Sequence, residues 1–310
     1  MLYINKTINN KVYKIEEFEK GSWISLIDPD KDEIDRVVKE LGIDPDLLRA
    51  ALDEEETARF ELEEGQSLII VDIPVVEPEG GSFMYSTLPL GIVRTDDYII
   101  TVCLKETSII EDFAKERVKT FDTSKKTRFT LQLLYKNSSK FLQYLRRIDK
   151  ASMQVETALH RSMKNRELIE MLKLEKSLVF FSTSLKGNEI VLEKMLKTNA
   201  IKRYPEDEDL LEDVIVENKQ AIEMCTIYRD ILTGTMDAFA SVISNNLNMV
   251  MKFLTSITII IAIPTLFASL WGMNVTVPFI NSTFGFWFVV ILAGVASIAA
   301  GIFLWRKKML

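Results

Sequence analysis

The chain has 310 residues, is 47% hydrophobic, and sets 38 Lys and Arg against 45 Asp and Glu for a formal charge of −7. That length accommodates one soluble domain plus a further structural unit, and the acidic balance argues against a nucleic-acid partner, whose phosphates draw on clustered Lys and Arg. The two cysteines, Cys103 and Cys225, lie outside any Cys-x-x-Cys or Cys/His pattern, so a zinc knuckle or disulfide framework is not expected and a reducing compartment is the simplest reading.

The opening stretch MLYINKTINNKVYKIEEF lacks a basic segment followed by an apolar run. A cleaved signal peptide is therefore not expected, and the first domain is read as cytoplasmic. Up to about residue 125, β-rich runs (SWISLI, SLIIVDIPVV, GIVRTDDYIITVCL) alternate with short helical stretches (DKDEIDRVVKELG, DPDLLRAAL), which predicts an α/β domain. Asp28 before Pro29 and Asp44 before Pro45 place a capping residue and a helix-first proline where the two helices are expected to begin.

From 126 onward Gly and Pro become scarce, and Leu, Lys, Glu and Met recur at helical spacing. Two long antiparallel helices are expected there. Lys202-Arg203-Tyr204-Pro205 interrupts the pattern, and the acids Glu206 to Asp209 then suit the first turn of a new helix. No proline recurs until Pro264, so this helix is expected to run on as a stalk, from about 206 to 252, and continue into a membrane.

Between Lys252 and Arg306 the sequence contains no Asp, Glu, Lys or Arg. Two spans, about 253–271 and 286–305, each approach the ~20 residues needed to cross a bilayer core. Lys252 before the first span and Arg306, Lys307 and Lys308 after the second, with no basic residue in the connecting loop, place both termini in the cytoplasm by the positive-inside rule. Trp271 and Trp287 then mark the outer interface and Trp305 the inner one. The resulting division is a domain at 1–125, a helical region at 126–252 and a transmembrane region at 253–310.

On the first span a polar or small stripe recurs at three- and four-residue steps: Asp237, Ser241, Ser244, Asn248, Met251, Thr255, Thr258, Ala262 and Thr265. Polar groups on a lipid-embedded helix are expected to face protein or water. The alternative is that Thr258 and Thr265 hydrogen-bond to their own helix while Met251 and Leu254 pack between helices. On the second span Ala293, Ser297 and Gly301 form a small face that admits close helix approach.

A cytoplasmic α/β domain, a long helix entering the membrane, two C-terminal spans, and Gly272-Met273-Asn274 at the end of the first span together resemble the CorA family of divalent-cation transporters. The resemblance implies an α+β/α membrane protein, assembled as a funnel-shaped homopentamer with a ring of Asn274 side chains at the outer mouth of a central pore. It implies that Asp237, Asn248 and Thr265 line that pore along the stripe that also carries Thr258. Met251 with Leu254 then forms a hydrophobic constriction. Mg²⁺ is the implied cargo, with Co²⁺ and Ni²⁺ as further candidates, because an ion that gives up its water reluctantly can be selected by neutral oxygens contacting its hydration shell.

The resemblance also implies sensing of cytoplasmic Mg²⁺ at carboxylates between subunits, with Asp213 matching the stalk's acid. A solvated, dipole-favoured first turn explains Glu206 to Asp213 equally well. Two departures stand out. Ala50 occupies the position where an acidic partner for Asp213 is expected, although Asp53, Glu54 and Glu55 are close by. The loop Val275 to Phe284 holds no acid, which leaves the preferred ion open, and zinc transporters related to the family share its architecture and a Gly-x-Asn loop, so Zn²⁺ transport is a second reading. A membrane-anchored helical scaffold without conduction is the third reading. The single histidine, His160, is expected on an exposed helix face. No Gly-rich phosphate loop or nucleophile set is visible, so neither an enzyme nor an organic cofactor is expected.

Overall fold

The computed structural model describes residues 1–63, 65–79, 82–162, 165–198, 205–275 and 283–309. It divides into two compact units, Met1–Gly234 and Thr235–Leu310. The first unit is built on a seven-stranded sheet: β1 (Leu2–Ile8), β2 (Lys11–Ile15), β3 (Trp23–Ile27), β4 (Arg59–Glu63), β5 (Gln66–Glu79), β6 (Ser82–Arg94) and β7 (Ile99–Cys103). Their order is β2-β1-β3-β7-β6-β5-β4, with β3 and β7 parallel and the other neighbours antiparallel.

The apolar run ending in Val102 and Cys103 holds parts of two strands. A turn at Thr95–Tyr98 separates them, closed by Thr95 N–H donating to Tyr98 O at 3.0 Å and Tyr98 N–H donating to Thr95 Oγ1 at 3.0 Å. Strands β1, β2 and β4 were not anticipated, because Lys, Asn and Glu, which are depleted in strands, fill many of their positions. The hairpin between β1 and β2 turns on Asn9 and Asn10, both at positive φ (51° and 62°), as a tight two-residue turn requires.

Helices cover both faces, which explains why all five residues of β3 and all five of β7 are buried. On one face α1 (Lys31–Leu41) and α2 (Pro45–Arg49) pack Ile34, Val37, Leu47 and Leu48 against Ile24, Leu26, Ile70, Ile100 and Val102. Helix α2 begins as expected, with Asp44 accepting from Asp46 N–H and Pro45 in the first turn. Helix α1 begins later than expected. Its cap is Asp30, because Glu33 three residues on closes a reciprocal capping box, whereas Asp28 lies at φ 44° and donates its N–H to Cys103 O.

On the other face lie α3 (Ser108–Ala114), α4 (Lys126–Ser162), α5 (Asn165–Lys197) and the start of α6 (Pro205–Trp271). Trp23, Phe113, Phe121 and Phe129 form the aromatic centre of this layer, with Trp23 and Phe129 centroids 5.1 Å apart and Phe121 and Phe129 4.5 Å apart. The Trp23 indole N–H is satisfied by Thr101 Oγ1 at 2.9 Å.

The β5–β6 hairpin is longer than its neighbours, and helix side chains take up the backbone groups left over. Beyond Ile70, where β4 stops pairing, Asp72 N–H donates to Asn188 Oδ1 (2.8 Å), while Asn188 Nδ2 (2.9 Å) and Asn137 Nδ2 (2.8 Å) donate to Asp72 O. Beyond Leu90, where β7 stops pairing, Tyr85 N–H donates to Ser177 Oγ at 3.1 Å. These buried polar residues lie on α4 and α5 because an unpaired backbone amide in the core costs more than placing an amide or hydroxyl there.

The first part of α6 belongs to this unit, with Leu211 and Val214 in the sheet core and Asn218 Nδ2 donating to Leu185 O at 3.1 Å. Burial raises the Cys103 thiol to about 12 and the Cys225 thiol to about 11, so both remain protonated and unreactive. His160 is exposed on α4, as expected.

Candidate functional site

Helix α6 is 67 residues long, about 100 Å at ~1.5 Å per residue, and is continuous through Pro264. A proline there leaves the Ile260 carbonyl without its helical donor. The expected break at Lys202-Arg203-Tyr204 lies outside the described residues. Among the described residues, the apolar part of α6 and α7 (Thr283–Arg306) are the two helices long and apolar enough to cross a membrane. Their most apolar stretches are only 6% and 17% buried, which is the wrong value for core helices of a soluble protein.

Within the second unit, α7 takes one face of α6. Ser256 is fully buried, Ile260, Ile263 and Phe267 are half-buried, and these four lie at steps of four, three and four. On α7 the small residues face this contact: Ala293 is buried, Ser297 and Gly301 are half-buried, and a methyl group added at Gly301 would meet Ile260 Cδ1 at 3.8 Å. Small side chains let the two backbones approach closely.

The polar stripe occupies the opposite side. Asp237, Ser241, Ser244, Asn248, Met251, Thr255, Thr258, Ala262 and Thr265 are all exposed, as is Leu254 beside Met251. A step from Ser256 to Thr258 turns the helix by about 200°, so pairing with α7 leaves the stripe uncovered. Thr258 Oγ1 donates to Leu254 O at 2.9 Å and Thr265 Oγ1 to Ile261 O at 3.1 Å. Each hydroxyl therefore spends its proton on its own helix, and what it presents outward is an acceptor oxygen.

At the C-terminal end of α6, Gly272 N–H donates to Ala268 O at 2.9 Å, and a side chain at Gly272 would approach that oxygen to 3.2 Å. Glycine thus lets the helix close tightly before the chain leaves it. Met273, Asn274 and Val275 are exposed just beyond. Carbonyls left over at a helix C-terminus carry partial negative charge, so the tripeptide sits at the electronegative end of α6. Residues 276–282 of the connecting loop lie outside the described residues.

Asp213 is exposed on α6, and Ala50 is half-buried at the start of a 3-10 turn, Ala50–Leu52. Asp53 uses its carboxylate locally, accepting from Glu55 N–H at 3.0 Å. Glu206 pairs with Arg128 at 3.0 Å. Among the described residues no group of three or more His, Cys, Asp or Glu side chains is placed to hold a metal.

One contact was not foreseen from sequence. Ser256 Oγ lies 2.8 Å from Lys252 O and 3.1 Å from Met309 O, so a single hydroxyl proton ties α6 to the segment after α7. Ser256 stands off the polar stripe, and nothing in its sequence surroundings distinguishes it.

Three comparisons place the chain among known proteins. The family model described as CorA-like Mg2+ transporter protein matches residues 18–308. The cobalt/magnesium transport protein CorA of Methanocaldococcus jannaschii is 28% identical over 296 residues, covering 92% of this chain and 90% of that protein. The complete structure of the CorA magnesium transporter from M. jannaschii matches with a TM-score of 0.85 and 26% identity, over 99% of this chain and 98% of that one. The cytoplasmic domain of ZntB from Vibrio parahaemolyticus shares the fold alone, at 11% identity and a TM-score of 0.61 over 79% of this chain and 96% of that one. With the family match spanning five of the seven strands, the long helix and both apolar helices, the chain belongs to the CorA-like Mg2+ transporter family.

Proposed function

We propose that this chain is the protomer of a homopentameric channel in the cell membrane that passes Mg²⁺, and also Co²⁺ and Ni²⁺, down the electrochemical gradient, with both termini in the cytoplasm. The observation that carries the reading is the polar stripe on the face of α6 turned away from α7, leading from Asp237 to the tripeptide at the helix end. Copies of α6 arranged with this face inward would line a path with acceptor oxygens, while α7 would remain on the lipid side.

In this reading Asn274, Gly272 and Met273 form the selectivity element. Amide oxygens from several Asn274 side chains bind the hydration shell of a divalent cation without stripping it, which keeps binding weak enough for release. The C-terminal ends of the α6 helices add negative potential at the same mouth. Thr265, Thr258, Asn248 and Asp237 carry the ion inward. Met251 and Leu254 form an apolar ring that excludes water when the helices are close and so closes the path. Mg²⁺ bound on the cytoplasmic side near Asp213 favours that closed arrangement, and its loss opens the path by population shift. Conduction of this kind needs neither ATP nor an organic cofactor.

Zn²⁺ transport on the same fold is the second reading, favoured by the fold shared with the ZntB cytoplasmic domain. Flux into liposomes loaded with a divalent-sensitive dye decides between them. Mg²⁺ influx that falls at least about tenfold in Asn274→Ala, from loss of the oxygen ligands, is the expected result. Zn²⁺ influx without Mg²⁺ influx would establish the second reading, and no divalent flux at all would leave a non-conducting scaffold.

A further inference from the structure

The shared proton of Ser256 has a consequence for charge. By holding Met309 O within 3.1 Å of a residue one helical turn from Lys252, it brings the basic run Arg306-Lys307-Lys308 back to α6 at the level of Lys252. The end of α7 is shaped for this return. Met309 N–H donates to Leu304 O (3.1 Å) and Lys308 N–H to Trp305 O (3.0 Å), with Lys308 at φ 54°, the left-handed closure that reverses a chain at a helix end. Lys252, Arg306, Lys307 and Lys308 are all exposed.

Four cations are thus gathered at one end of the two apolar helices. From Ala238 to Lys308 the sequence holds no Asp or Glu. Asp237 is fifteen residues before Lys252 on the same helix, about 22 Å away at ~1.5 Å per residue, beyond the ~8 Å over which a charge is felt at physiological salt. The exposed apolar side chains of Phe303 and Trp305 lie beside the cations on α7, where acyl chains would be.

We propose that this basic end is a binding site for an anionic phospholipid headgroup on the cytoplasmic leaflet. The proposal rests on the membrane reading above and adds to it a ligand and four residues. The phosphate supplies acceptors to these cations, and clustered Lys and Arg at a membrane surface act additively on such a lipid. Because Lys252 lies between Met251 and Leu254, the headgroup would be held at the level of the apolar constriction.

The full chain, reconstituted in vesicles containing nitroxide-labelled phosphatidylglycerol or nitroxide-labelled phosphatidylcholine, provides the test through quenching of tryptophan fluorescence. The expected result is a preference for phosphatidylglycerol of about tenfold, weakening as salt is raised. It should fall to near parity in Lys252→Gln/Lys307→Gln/Lys308→Gln and survive in the matching Lys→Arg variant, which controls for folding. Ser256→Ala, which releases the returning segment, should lose part of the preference with all four charges intact. An unchanged preference in the Gln variant would overturn the proposal. So would displacement of the labelled lipid by inorganic phosphate at equal concentration, which would make the site one for free phosphate. A lipid preference without any divalent flux would count against the channel reading while leaving the lipid site standing.

Discussion

The two compact units use the same hydrophobic side chains to opposite ends. In Met1–Gly234, Ile24, Ile70 and Ile100 are fully buried between two helical layers, and leftover backbone groups of the long hairpin are met by Asn188, Asn137 and Ser177. In Thr235–Leu310, Phe303 is 62% exposed and Ile298 65%, while the buried positions include Phe239, Ser256, Gly285, Ala293 and Leu304. The first unit hides the apolar surface of its sheet from water within one chain. The second presents much of that surface outward and places small residues where α7 meets α6, the arrangement suited to a hydrocarbon solvent in which apolar burial gains little and close packing decides association.

The comparison can be broken most directly at matched phenylalanines. Phe129→Ala should cost the first unit about 3–5 kcal/mol, from lost apolar burial plus the cavity left among Trp23, Phe113 and Phe121. Phe303→Ala should leave that unit's urea midpoint unchanged, because its ring packs into no core. Equal effects on the midpoint would contradict the division drawn here.

A smaller loss is expected where a polar side chain closes the hairpin edge. Asn188→Ala removes the acceptor for Asp72 N–H and one of two donors to Asp72 O, and should cost about 1–3 kcal/mol. Hydrogen exchange would locate the loss, with the Asp72 amide exchanging faster and α7 unaffected.

The thiols offer a sharper probe at lower amplitude. With both raised by burial, Cys103 and Cys225 should resist alkylation at neutral pH in the folded chain and react together once urea unfolds the first unit.

The smallest effect concerns pH. Burial raises the Asp72 carboxyl above its ordinary value, and a hydrogen bond from Ser184 only partly opposes it. The folded chain therefore holds that proton more tightly than the unfolded chain. The group's contribution is most favourable at low pH and declines as pH rises from the ordinary carboxyl range through the raised value. Asp72→Asn should flatten that decline, as measured by urea midpoints across the acid range, while a steeper dependence would reverse the assignment.

Much of the architecture was legible in the chain. The charge-free stretch from Phe253 to Trp305, the proline-poor run leading into it and the capping signal at Asp44-Pro45 are local patterns, and local patterns survive folding because propensity, solvent transfer and helix caps act over a few residues. The strands β1, β2 and β4 were not legible because they are held by their neighbours more than by their own alternation, and Asp28 looked like a cap until the reciprocal pair Asp30–Glu33 claimed that role two residues later. Of the candidate site, the stripe and the tripeptide could be read as a periodicity and a position, but not which side of α6 they occupy relative to α7.

By itself, then, the sequence determined that two helices are apolar enough to cross a bilayer, that one of them carries polar residues along a single face, and that basic residues flank both. Tertiary structure alone decided that α7 packs on the Ser256–Phe267 face and leaves the stripe uncovered, that Asn188 closes the edge of β5, and that Ser256 ties Lys252 to the segment after α7. The physical reason is range: periodicity and charge are properties of neighbouring residues, whereas the partner of a helix face, a strand edge or a hydroxyl proton is chosen by groups dozens of residues away.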